Sequence, residues 1–124
     1  MEINQLKQKF IELYGGSEQD IRVFSAAGRV NLIGEHIDYC GGKVFPAALN
    51  LRTVVLARKN NENVIRLAAT TVKQREELNL STLDAYKGLK WGDYQAGVAY
   101  VMQNEGYKIV GADTLYDTTV PFAS

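Results

Sequence analysis

The sequence is short of several things, and each shortage excludes something. Cys40 is the only cysteine, so no intrachain disulfide can form, and a reducing, cytoplasmic compartment is expected. His36 is the only histidine, which with one cysteine leaves too few side chains for a closed zinc site. Neither sign of charge is in excess, with Lys+Arg and Asp+Glu at 14 each. That balance gives no basic field for nucleic acid or an anionic membrane. No apolar run approaches the roughly 20 residues that a bilayer-spanning helix needs. The opening MEINQLKQKF lacks the apolar core of a signal peptide, and there is no repeat or low-complexity tract. What is present suits one small globular domain: 124 residues, 46% hydrophobic, enough for a packed core.

One stretch departs from this ordinary background. Gly28 to Pro46 reads GRVNLIGEHIDYCGGKVFP. Arg29 and Asn31 open it, and Leu32-Ile33 lead to Gly34. Glu35, His36 and Asp38 then fall within four residues, and Gly41-Gly42 turn the chain toward Pro46. Glycines break both helix and strand, so local propensity does not account for the pattern. Polar side chains gathered on a glycine-bounded loop point to something held there. Ionised Glu35 and Asp38 accept hydrogen bonds, His36 donates or accepts, and Arg29 is a permanent cation with a planar fork of donors. The first three suit a ligand rich in hydroxyls, and the guanidinium suits an anion. A sugar or polyol receiving a phosphate needs both. Taken singly, Arg29 would be a surface ion-pair residue, and Glu35, His36 and Asp38 solvated loop residues. Cys40 is expected to be an ordinary thiol, and Tyr39 an aromatic anchor beside the Gly41-Gly42 turn.

The stretch GRVNLIGEHIDYCGGKVFPAAL resembles the galactokinase form of the first motif of the GHMP small-molecule kinases, GR-x-NLIGEH-x-DY-x-x-G-x-VLP-x-AL, over about twenty residues. WGDYQAGV resembles W-x-NY-x-x-GV, and the closing TVPFAS resembles the lead-in to the second motif. Two departures stand out: Ala27 replaces a frequent proline, and Phe45 a usual leucine. The resemblance implies an α+β fold, part of a GHMP N-terminal domain, with a mixed β-sheet packed against a few helices. It implies galactose and Mg-ATP as ligands and phosphorylation of the sugar's C1 hydroxyl. It assigns Arg29 to stabilising the transition state, and Glu35, His36, Ile37 and Asp38 to galactose recognition. Trp91 and Tyr94 match an aromatic pair that meets adenine, with core packing as the plain alternative. Where the family has a serine approaching the nucleotide, this chain has Ala68-Ala69-Thr70.

Family members run to several hundred residues, with a glycine-serine phosphate loop after a Val-Pro segment like Val120-Pro121. Residues 1–124 are therefore expected to be the first part of the N-terminal domain. The phosphate loop with its magnesium ligand, the nucleotide helix and the second domain are expected to be absent, and isolated activity negligible. Three other readings stand beside this one. They are a non-catalytic galactokinase-like sugar sensor, a kinase for N-acetylgalactosamine, and an incomplete domain that self-associates through exposed apolar surface.

Periodicity along the chain predicts a helix over Ile3–Tyr14, ended by Gly15-Gly16. Strands are predicted at 21–26, 30–33, 44–49, 53–59, 64–70 and 76–80, with 60–63 as a hairpin turn between the fourth and fifth. A second helix is predicted over Gly92–Asn104 with Tyr94, Val98, Val101 and Met102 as its buried stripe, stopped by Gly106. Two final strands are predicted at 107–110 and 112–120.

Overall fold

Leu6 and Phe10, one helical turn apart, are both fully buried on the inner face of helix α1, Ile3–Tyr14. A capping box closes the helix start, with Glu2 and Gln5 bonded reciprocally to each other's backbone. Gly15 ends it, its amide bonded to Ile11 O at 2.7 Å. These bounds are the predicted ones. The computed structural model describes residues 1–121, the side chains of residues 85–87 excepted; Phe122–Ser124 of TVPFAS lie outside the described residues.

The strands are β1 (Arg22–Ile33), β2 (Phe45–Lys59), β3 (Val64–Ala69), β4 (Glu76–Asn79) and β5 (Ala112–Thr118), and helix α2 spans Asp93–Asn104. They form one mixed sheet in the order β1-β2-β5-β3-β4, in which only β3 and β5 run parallel. The α+β expectation holds. Successive strand residues point to opposite faces, and the two buried clusters divide accordingly. Leu56, Ala68 and Leu115 pack against α1 with Leu6 and Phe10. Leu67 and Leu78 pack with Ala96 and Ala99 of α2, and Tyr116 joins them.

Four expectations are corrected. The segments at 21–26 and 30–33 are one strand, as are those at 44–49 and 53–59. Glycine does not end β1 at Gly28; the ladder absorbs it as an irregularity between the Ala27–Arg52 and Arg29–Ala48 pairs. The 60–63 turn does not join a hairpin, because β5 inserts between β2 and β3. No strand forms at 107–110; β5 begins at Ala112. Finally, the buried stripe of α2 is the opposite one. Ala96 and Ala99 are buried, whereas Tyr94, Val98, Val101 and Met102 are exposed by 85%, 61%, 57% and 40%. The alanines have no bulk to hold the helix away, so that face approaches the sheet.

Candidate functional site

The polar stretch lies where β1 and β2 leave their shared ladder. Asn31 pairs with Pro46 and Ile33 with Phe45, and residues 34–44 project beyond these last pairs. Glycine makes the exit possible. Gly34 has φ +105°, and a Cβ there would lie 2.8 Å from Lys43 O and 2.9 Å from Val44 Cα. The tip is a single 3-10 turn, Asp38–Cys40, closed by Gly41 at φ +78°. Gly42 N donates to Ile37 O at 2.7 Å, and a Cβ on Gly42 would meet Ile37 Cβ at 2.8 Å. Two crossing points of bare backbone thus fix the loop.

His36 takes φ +59°, in the left-handed region that few non-glycine residues enter. Its Nδ1 lies 3.0 Å from the Tyr39 hydroxyl, and the two rings meet edge to face at 6.1 Å. Tyr39 is therefore no core anchor; it is 73% exposed and bonds His36 instead. Among the described residues Glu35, Asp38 and Arg29 have no side-chain hydrogen bond or ion pair, and all three are exposed. Ile37 is half-exposed at the turn, and Cys40 is a free, exposed thiol. Glu35, His36, Ile37 and Asp38 are thus brought onto one rigid turn. Arg29 stands apart from them on β1, paired with Ala48, and shares with them the strand that leads into the loop.

Trp91 lies elsewhere, in a cleft of about 210 Å³ between the sheet and α2. Ala69, Val72, Gln95 and Tyr116 line the cleft with it, but Tyr94 does not. The indole N–H donates to Gln74 O at 2.9 Å, and the ring meets Tyr116 edge-on at 6.3 Å. With its polar edge engaged, the indole offers the cleft an apolar face. Gln95 carries the one buried side-chain polar atom without a hydrogen bond among the described residues, its Oε1. Neither Gln95 nor Glu76, whose carboxylate receives the amides on both sides of Trp91, stood out in the sequence. The alternation of EELNL marks a strand but says nothing of which loop a glutamate on it will meet.

Residues 8–59 match the family model of the galactokinase galactose-binding signature. The chain is 44% identical over all of its 124 residues to the galactokinase of Clostridium tetani, of which it covers 31%. It superposes with a TM-score of 0.87 and 33% identity on the crystal structure of Lactococcus lactis galactokinase complexed with galactose, covering 98% of this chain and 32% of that one. The Methanococcus jannaschii mevalonate kinase shares the fold at 16% identity and a TM-score of 0.67, over 85% of this chain and 34% of that one. The chain thus spans just under a third of the length of the galactokinases it matches. In sequence along its whole length and in fold, it belongs to the galactokinase family, as the counterpart of that family's N-terminal, galactose-binding region.

Proposed function

We propose that the chain supplies the sugar-binding part of an ATP-dependent galactokinase. In the complete reaction the γ-phosphoryl group of Mg-ATP passes to the anomeric hydroxyl of α-D-galactose. The products are galactose 1-phosphate and ADP, in cytoplasmic galactose metabolism. The observation that carries this reading is the turn at residues 34–44. It holds two carboxylates without a side-chain partner among the described residues, and an imidazole, on a backbone that glycines fix. Glu35 and Asp38 accept from sugar hydroxyls. His36, with Nδ1 engaged by Tyr39, presents Nε2. Ile37 packs the apolar side of the sugar ring. A site that hydrogen-bonds hydroxyls rejects epimers strongly, because the wrong epimer leaves polar groups unpaired.

Arg29 offsets the negative charge that builds on the equatorial oxygens during phosphoryl transfer. Its guanidinium, without a partner among the described residues, suits that role. Val120 packs where a side chain on Gly28, the residue before Arg29, would lie. The cleft at Trp91 fits a purine ring, which needs an aromatic face and apolar walls. ATP brings the transferable phosphoryl group. Among the described residues no three His, Cys, Asp or Glu side chains come together as a multi-ligand metal site would need; magnesium held by ATP phosphates and one or two carboxylates does not require such a group.

Restricted to 124 residues, the chain binds galactose but does not turn it over. Calorimetric titration with galactose, glucose as control, tests the first half, and coupled ADP release tests the second. Binding of galactose over glucose that is lost in Glu35→Gln and Asp38→Asn is the expected result. Equal heats for the two sugars, or undiminished galactose binding in both variants, would overturn the reading.

A further inference from the structure

A single carboxylate grips the backbone on both sides of Trp91. Glu76 is buried on β4, at the sheet edge. Its Oε1 accepts from Lys90 N at 2.9 Å and its Oε2 from Gly92 N at 2.5 Å. These are the two amides that flank Trp91. Two residues before Glu76, Gln74 O receives the indole N–H. The segment that leads into β4 therefore holds both the backbone and the ring edge of one tryptophan.

The grip leaves no slack. A Cβ on Gly92 would collide with Glu76 Oε2 and lie 2.7 Å from Leu67 Cδ1, so only glycine lets the carboxylate reach that amide. Burying a carboxylate is unfavourable unless it is paired or fully hydrogen-bonded. Glu76 forms no ion pair among the described residues. Its compensation is the two amides and the positive end of α2, which starts at Asp93. Ordinary helix capping needs one short polar side chain from the residue before the helix. Here a glutamate from a separate strand spans both sides of Trp91, and the ring it fixes is a wall of the cleft.

We infer that Glu76 is a positioning residue for Trp91, holding the indole face toward the cleft and thereby setting its affinity for a purine. The last step rests on the reading of Trp91 as a purine contact. Glu76 itself touches no ligand.

Trp91 is the sole tryptophan of the chain, so its emission reports this ring alone. In Glu76→Gln one acceptor oxygen is lost and an amide donor faces a backbone N–H. The expected result is a red-shifted emission and a severalfold larger acrylamide quenching constant, with far-UV dichroism retained. ATP binding weakens severalfold and galactose binding is unchanged. A folded Glu76→Gln chain with wild-type Trp91 emission and quenching overturns the inference. Should that variant not fold, amide exchange in the native chain decides. Slow exchange at both Lys90 and Gly92 supports the grip, and fast exchange at both overturns it. Failure of the purine reading looks different: the ring is loosened, yet ATP affinity is the same in both chains. In that case Glu76 still positions Trp91, and the cleft serves another purpose.

Discussion

Val120 lies where a side chain on Gly28 would be: a Cβ built there falls 2.9 Å from Val120 Cγ2 and 3.3 Å from Leu51 O. Glycine at this position thus serves close approach, since it lets the segment after β5 seat against the β1 irregularity beside Arg29. Thr119 holds the same segment, with its amide on Arg52 O and its hydroxyl receiving Arg52 N, both at 3.0 Å. Gly28→Ala should destabilise the chain by about 1–3 kcal/mol through overpacking. Val120→Ala in that background should recover part of the loss, and urea unfolding of the four chains of the cycle measures the coupling. Strict additivity would show that the two residues do not share this space.

The Tyr39 hydroxyl and His36 Nδ1 make a second testable pair. Both side chains are exposed, so their hydrogen bond contributes about 1 kcal/mol or less to stability. Its value lies in fixing the imidazole. Tyr39→Phe should therefore lower the melting temperature by no more than about 5 °C, the shift that about 1 kcal/mol produces in a domain of this size, while galactose affinity falls a few-fold by calorimetry. Equal affinity in the two chains would mean that His36 needs no partner to face the sugar.

Tyr14 sets an alkaline limit on stability. Burial first, and then the nearby Asp113 carboxylate, push its phenol up to about 12, and the hydroxyl donates to Thr114 O at 2.9 Å. Between the ordinary value near 10 and about 12, the unfolded chain releases this proton while the folded chain retains it. Stability is therefore fully present below pH 10 and falls as the pH rises through that window. Tyr14→Phe should flatten the decline of stability with pH. Burial also raises the Tyr116 phenol, so part of the slope should remain. Chemical denaturation at a series of alkaline pH values checks this.

Sequence pattern and structure agree where one local signal decides. The Ile3–Tyr14 helix has a single apolar stripe and a glycine stop, and both survive in the fold. The loop at 34–44 was legible because its glycines and polar residues serve the same end. The pairing of strands was not. Asn60–Asn63 has the chemistry of a hairpin turn, but only the placement of a strand almost fifty residues downstream separates β2 from β3. Nor could spacing reveal Glu76, whose partners are two amides 14 and 16 residues away. On α2 two stripes compete, one large and apolar and one small. Volume in the sheet–helix gap chose the small one, and a periodicity count cannot see that gap.

That choice leaves Tyr94, Val98, Val101 and Met102 in a row on the outer side of α2, at the i, i+4, i+7, i+8 spacing of one helical face. Removing apolar surface from water contributes roughly 25 cal/mol per Å², so the stripe has a strong tendency to be covered. In a solution of the 124-residue chain the surface in greatest supply is a second copy. Self-association at rising concentration is therefore expected in sedimentation velocity runs. Val98→Lys with Val101→Glu should return the chain to a monomer. Because both side chains already face solvent, these changes should alter stability by no more than about 0.5 kcal/mol, which separates loss of association from loss of fold. A wild-type chain that sediments as a monomer at every concentration, or a double variant that associates as the wild type does, would place the contact elsewhere or remove it.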